Sequence, residues 1–413
     1  MIGTGKVMRI LIINTDYPAF LKQHYKIHAG LAEASSAYQT ELRNASFFGV
    51  FDAYSRAFET NGHEAREVHA NNGYLQRRYM IENGRRPPRQ FRLPPRIESL
   101  AWRIAGRLLP LPQNSESVLR SPFDISPWRL ADILVAQVED YRPDVILNQS
   151  VSEVGSDLLD RMRPFTKLIV GQIASPEPNE EDYHAYDLMI SSLPNFVERY
   201  RQRGMQAELN RLGFDECVLN VVKVPAREVD VSFVGSLSPA HPVRARLVEW
   251  LAGQTRLDIW GNGVDQFPAD SAIHRHYHGE AWGTDMFTAL ARSKITVNNH
   301  IGIAENFANN MRLYEATGMG CLLLNDRKSN IADMFDPGRE IVCYDSPEEC
   351  LDLIRYYAKN DAEREKIAAA GQRRTLAEHS YVNRTAELVK LFQRHIAEPD
   401  SRAIGSARRR SRG

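Results

Sequence analysis

Short runs of β-branched and aliphatic residues alternate with longer amphipathic stretches along the whole chain, and this rhythm limits the fold more than any other feature. In the first half the runs fall at Met8–Asn14, Glu64–Ala70, Asp144–Gln149, Lys167–Gln172 and Asp187–Ser191. In the second half they fall at Asp230–Gly235, Arg256–Trp260, Lys294–Asn298, Cys321–Asn325 and Glu340–Tyr344. A strand covered by helices on both faces has no polar side, so it reads as a continuous apolar run, and alternation with helices makes such strands parallel. The chain is therefore α/β. Two sets of similar size predict two doubly wound sheets facing across a cleft, with the change-over between Asn210 and Glu228. The length of 413 residues suits this division into a domain at 1–215 and a second at 225–396.

Two helix starts carry clear signals. Ser126 precedes Pro127 at a first helical position, and Ser346 and Glu349 have the spacing of a capping box. The segment 85–112 breaks the βα rhythm with seven arginines up to Arg107 against the single acid Glu98. It is an insertion. Residues 96–108 have helical apolar spacing flanked by arginines, which suits weak peripheral contact with a membrane surface or an acceptor, and more readily a helix packed on its domain with arginines in water. The tail 397–413 has no apolar period and is expected to be disordered, its arginines solvated.

Charge and cysteine usage narrow the partners. Fifty-two basic residues balance 52 acidic ones, so no overall field draws the molecule onto nucleic acid, and any polyanion site must be local. Four scattered cysteines, Cys217, Cys321, Cys343 and Cys350, form no CxxC pair and read as buried small hydrophobes in a reducing compartment. The opening MIGTGKVMRILIIN is too short for a signal-peptide core, and no stretch reaches the roughly 20 apolar residues of a membrane span. A cytoplasmic address is the expectation.

No P-loop, GxGxxG after the first strand, HExxH or GxSxG occurs, so ATPase, dinucleotide-dehydrogenase, zincin and serine-hydrolase chemistry lack their defining parts. The strongest segment is ITVNNHIGIAENFANNMRLYEATGMGCLLLND, Ile295–Asp326. A strand ends in the polar cluster Asn298, Asn299 and His300, and a helix then opens near Asn309 and Asn310 and stops at the Gly318–Gly320 turn. Free N–H groups at that helix start, with Arg312 in the first turn, suit a diphosphate. Glu315 lies one turn on, where sugar hydroxyls would sit. The plain alternative is a capped helix with Arg312 and Glu315 as a surface ion pair. On the ligand-binding reading, replacing Arg312 or Glu315 by alanine is expected to abolish most ligand-induced stabilisation while leaving the melting point of the free protein nearly unchanged.

The run NNMRLYEATGMGCLLLND, the later DMFDPGREIVCYDSPEECLDLIRYY and GQRRTLAEHSY, together with VDVSFVGSL and LDIWGNG, resemble the second half of the glycosyltransferases grouped with spore-maturation protein CgeB. The likeness is dense over Val229 to about Phe392 and looser over MRILIINTDYP, NGHE, VGQIASP and SSLPNFVERY in the first half. It implies two Rossmann-like domains of the GT-B type, a nucleotide-sugar donor in the second domain, and transfer to an unidentified acceptor, whether glycan, lipid-linked glycan, protein or small molecule. By position, Glu315 resembles the carboxylate that binds the donor ribose, and Asn309, Asn310 and Arg312 occupy the start that holds the diphosphate. Gly235 is the turn beside the phosphates, with Arg244 or Arg246 as charge partner. Trp260, Gly261, and His278 and Gly279 in YHGEAWG lie at strand ends facing the base, and His300 is counted with the donor site. Retaining relatives carry a second glutamate eight residues before the ribose one. That position is Phe307, and Glu305 stands two residues out of register.

Glycosyl transfer requires that charge growing on the leaving diphosphate be neutralised and, with inversion, that the acceptor hydroxyl lose its proton. The base is expected from the first half. Candidates are His24 and Asp52 foremost, with Asp16 and His28, while His63 reads as turn chemistry. His24 and His28 have a spacing also found in metal sites, but no third ligand is evident, and no divalent metal or other cofactor is called for. Two rival functions share the fold: a nucleotide-sugar epimerase, and a non-catalytic sugar-nucleotide-binding protein.

Overall fold

The computed structural model describes residues 6–85, 119–123, 125, 127–178, 181–223 and 226–397. The basic insertion, including 96–108, and the tail therefore lie almost wholly outside the described residues, as does Ser126. The chain divides into two compact units, one comprising Met1–Asn44, Phe58–Ile190 and Lys390–Gly413, the other Ala45–Ala57 and Ser191–Val389.

In the first unit β1 (Arg9–Asn14), β2 (Glu64–His69), β3 (Val145–Asn148), β4 (Leu168–Gln172) and β5 (Leu188–Ser191) line up in the order β2-β1-β3-β4-β5. All neighbouring pairs are parallel, with Ile10 facing Ala65 on one side and Val145 on the other. Ile10 to Ile13 are fully buried, because helices cover both faces of a central strand. The chain leaves β1 toward β2 and later returns to the opposite side of β1 as β3. The strand order thus reverses between β1 and β3. Helices α1 (Pro18–Ile27) and α2 (Ser36–Ala45) follow β1.

The second unit holds the short strand β6 (Ala207–Leu209) and a sheet of β7 (Val229–Val234), β8 (Asp258–Trp260), β9 (Ser293–Asn298), β10 (Leu322–Asp326) and β11 (Val342–Tyr344). Its order is β11-β10-β9-β7-β8, again parallel throughout, and here the order reverses between β7 and β9. Helices α3 (Pro242–Gln254), α4 (Thr284–Arg292), α5 (Met311–Gly318) and α6 (Pro347–Tyr357) connect these strands. Val231, Phe233, Ile259, Ile295, Val297, Leu322 and Leu324 form the middle of the core, with Leu247, Val248 and Leu251 of α3 packed on them.

Every predicted strand is present within a residue or two of its expected bounds. Both readable caps form as the side chains require. Ser346 accepts from the Glu349 amide at 3.1 Å, while the Glu349 carboxylate reaches the Asp345 amide at 2.6 Å, one residue earlier than a standard box. Asn310 caps α5 by accepting from the Leu313 amide at 3.2 Å. Cys321, Cys343 and Cys350 are buried and Cys217 partly so, all as free thiols. Among the described residues no helix is long and apolar enough to cross a membrane.

Candidate functional site

In open α/β sheets ligands settle outside the carboxyl ends of the strands, where the strand order reverses. In the second unit that point lies between the segments that follow β7 and β9. Arg244, from the first turn of α3, spans it. Its Nε and one terminal nitrogen donate to the Asn299 carbonyl at 3.0 and 2.6 Å, and the other terminal nitrogen donates to the Ser236 carbonyl at 3.2 Å. Burial lowers this guanidinium to about 10, with Asp326 acting against the shift and Arg312 adding to it. No carboxylate among the described residues lies within ion-pair distance of it. Arg246, two residues on, is exposed. The three-dimensional placement thus separates two arginines that spacing left equivalent.

The strand ends around Arg244 are built from amides and one imidazole. Asn298 and Asn310 exchange hydrogen bonds at 3.1 and 2.9 Å, so the end of β9 is fastened to the start of α5. Asn298 also donates to Asn325 at 2.7 Å, and its carbonyl accepts from Tyr344 at 2.7 Å. The His300 imidazole is fully buried, its Nδ1 2.6 Å from Asp326. Burial alone would raise the Asp326 carboxyl, but hydrogen bonds from His300 and the charge of Lys328 hold it below the usual carboxylate range. An ionised Asp326 fixes the proton on Nδ1. His300 Nε2 and Asn299 Oδ1 then remain buried without a hydrogen-bond partner among the described residues. Buried polar atoms of this kind are rare unless a ligand or water completes them.

Arg312 and Glu315 pair at 2.8 Å, but not on the surface: the two side chains are only 13% and 7% exposed. Arg312 Nε donates to the Val234 carbonyl at 3.0 Å, which ties α5 to the end of β7. Burial raises the Glu315 carboxyl, and Arg312 pulls it back only in part. The expected surface pair is therefore a buried one, and neither partner can be removed without stranding the other. Asn309, just before the cap, is buried as well.

The remaining expected donor residues join the same edge through the backbone. The Gly235 amide donates to the Trp260 carbonyl at 2.9 Å, and the Gly261 amide to the Gly279 carbonyl at 3.0 Å. Gly261, at φ +148°, packs so closely that a Cβ there would stand 1.8 Å from the Gly235 carbonyl oxygen. The indole of Trp260 and the ring of His278 stack with centroids 4.5 Å apart. His278 Nε2 lies 2.6 Å from the buried Asp258. Gly235, Arg244, Trp260, Gly261, His278, Gly279, His300, Asn309, Asn310, Arg312 and Glu315 are thus gathered along one sheet edge. Asp258, Asn325 and Asp326 belong to the arrangement too. The sequence marked them only as polar residues in or at the end of apolar runs.

Of the base candidates, His24, His28 and Asp16 lie together in the first unit, with the His24 and His28 rings 4.9 Å apart, while Asp52 belongs to the second. His24 is buried in the first unit, stacked against Phe20, and burial and then His28 and Arg43 push it down to about 4. Asp16 pairs with Arg43 and lies 3.4 Å from His69. Burial would raise its carboxyl, but Arg43 and His69 outweigh that and hold it low. Asp52 falls in the Ala45–Ala57 stretch of the second unit, 2.8 Å from Arg56, which also reaches Asp215 at 2.6 Å. His63 accepts from the Met8 amide at 3.1 Å, as turn chemistry requires.

Comparison with known proteins bears on the fold. Residues 244–390 match a family model described as glycosyl transferase-like. No curated protein matches the chain by sequence. A glycosyltransferase from Rickettsia africae is similar in structure, with a TM-score of 0.55, 9% identity, and coverage of 96% of this chain and 100% of that one. The sucrose-phosphate synthase of Thermosynechococcus elongatus gives 0.53 and 11%, covering 94% and 99%. Anabaena Alr3699/HepE, in complex with UDP and glucose, gives 0.51 and 12%, covering 94% and 99%. The fold is that of the GT-B glycosyltransferases, two Rossmann-like domains each built on a parallel sheet.

Proposed function

We propose that this chain is a glycosyltransferase that moves a sugar from a nucleotide diphosphate donor, bound by the second unit, to an acceptor. The observation that carries the reading is Arg244. A largely buried guanidinium whose hydrogen bonds all go to neutral carbonyl oxygens, with only the more distant Asp326 acting on its charge, is incompletely compensated, and a bound anion is what would complete it. The diphosphate sits against Arg244 and the start of α5, where the first amides of a helix have no intrahelical acceptor. His300 Nε2 and Asn299 Oδ1 are acceptors, so they suit hydroxyl donors of the sugar nucleotide and not the diphosphate. Glu315 holds Arg312 with one oxygen and the donor ribose with the other, and the flat pair of Trp260 and His278 lies under the base.

As the sugar leaves, negative charge builds on the diphosphate, and Arg244 with the first amides of α5 meets it without reorganising. The finer assignments follow the sequence resemblance: a CgeB-like hexosyltransferase working in the cytoplasm without a metal. Phe307 stands where retaining relatives place a glutamate, and the exposed Glu305 makes its nearest ion contact with Arg199 at 3.9 Å. The reading is therefore inversion, which needs a base. A thermal-shift screen against UDP-, GDP- and dTDP-sugars tests the function. A donor at a hundred times its Kd raises stability by about 2.7 kcal/mol, and no response to any of them overturns the reading.

A further inference from the structure

Strand β9 ends at Asn298, and the next residue, Asn299, gives its backbone carbonyl to Arg244 at 3.0 and 2.6 Å. The Oδ1 of Asn299 and the Nε2 of the following His300 are buried acceptors without a hydrogen-bond partner among the described residues. The imidazole is held from two sides. Asp326, at the end of β10, accepts from the His300 amide at 3.1 Å and lies 2.6 Å from Nδ1, while Lys328 reaches the other oxygen of the same carboxylate at 3.2 Å. A carboxylate so placed takes the Nδ1 proton as its hydrogen bond, and Nε2 is left with a lone pair.

On the glycosyl-transfer reading, on which this rests, we propose that His300 Nε2, together with Asn299 Oδ1, accepts hydroxyl hydrogens from the sugar being transferred, so that the chain selects a hydroxylated sugar over a deoxysugar. The other parts of the donor are already placed. The ribose goes to Glu315 and the base to Trp260 and His278 at the end of β8, and the diphosphate brings only acceptors of its own. The hydroxyls that remain are those of the transferred sugar, which is bonded to the diphosphate that Arg244 holds.

Burial is what turns these contacts into selectivity. Neither acceptor is exposed in the free protein, so a hydroxyl that donates there adds a bond without breaking one between the protein and bulk water. A sugar that lacks the hydroxyl forgoes the whole gain, which is why sites built to bond an O–H reject the analogue without it more strongly than pockets that sense size alone. The fixed ring sharpens this, because Nε2 needs no reorientation to accept.

The test is calorimetric titration of the full chain with UDP-, GDP- and dTDP-glucose, then with the 2-, 3-, 4- and 6-deoxy forms of whichever binds most tightly. At least one deoxygenation is expected to weaken binding by about tenfold. His300→Phe keeps a ring in the site and removes the acceptor, so it should bind the parent sugar about tenfold more weakly and no longer distinguish that deoxy form. A merely structural role would weaken all five ligands alike. His300→Gln, which keeps an acceptor oxygen on a side chain of similar reach, restores part of the discrimination. Asn299→Ala leaves the backbone carbonyl to Arg244 and gives a second, independent cycle should His300→Phe not fold. Equal binding of every deoxy form by the parent, or a deoxygenation penalty that survives in both variants, overturns the proposal alone. So does a penalty that appears between UDP and 2′-deoxy-UDP and vanishes in the variants, since the bonded hydroxyl would then be the ribose's. A parent that binds no nucleotide sugar overturns the transferase reading, and the sugar contact with it.

Discussion

The two sheets reverse their strand order in the same way, yet the charged groups at their carboxyl ends are partnered differently. In the first unit Asp16, which follows β1, is neutralised by Arg43 with His69 beside it. In the second unit the crevice between β7 and β9 is spanned by Arg244, which has only neutral oxygens for partners. One scaffold thus neutralises its charge internally, and the other leaves a guanidinium without a carboxylate partner. A parallel sheet fixes where chemistry can sit, and the few side chains after its strands fix which chemistry that is.

The comparison can be broken at four points. The largest effect is expected from Glu315→Ala, which strands the Arg312 guanidinium in the second unit. Breaking a buried pair costs about 3–5 kcal/mol, so urea unfolding should show a loss of that size where a surface pair would give almost none. Glu315→Gln should cost less, because its environment already disfavours the charged form.

Next is acid sensitivity in the first unit. His69 is fully buried and held down to about 4, first by burial and then by Arg43. Its neutral form therefore contributes stability that is complete above the unfolded value of 6.5 and is lost as pH falls toward 4. By the usual 1.36 kcal/mol per unit this loss reaches about 3 kcal/mol. Hydrogen exchange at pH 7 and pH 5 should show β1 and β2 losing protection before β9 and β10, where the low-lying Asp326 keeps its contribution until near pH 4.

Arg244→Ala comes third. It should remove most of the donor-induced stabilisation of about 2.7 kcal/mol while Arg246→Ala leaves it intact, and equal responses in a thermal-shift titration would deny the second crevice its anionic guest. The smallest change is expected from Asn310→Ala, which deletes a cap worth about 1 kcal/mol. It also frees Asn298, so donor affinity should fall with stability. A pure stability loss would show that the helix start is structural.

The strands were legible because burial on both faces leaves a continuous apolar run, and the cap of α5 was legible because an N-cap needs only a side chain three residues from its amide. The donor edge was largely legible for the same local reason, since Asn310, Arg312 and Glu315 sit within one short helix. Burial was not. The spacing of Arg312 and Glu315 fixes that they meet, but not whether they meet in water, and this reverses the expected cost of removing them. Asp16 read as a candidate base because it follows a strand. Its partner Arg43 lies 27 residues away along the chain.

Read alone, the sequence determined the α/β class, the two sets of strands, the helix that opens at Asn310 and the region of the donor edge. These follow from periodicity and capping, which act over a few residues. Which arginine stays without a carboxylate, which carboxylates are neutralised and which polar atoms remain unpartnered were decided by the tertiary structure alone. Charge and solvation depend on neighbours in space, and parallel strands bring those neighbours together from segments far apart along the chain.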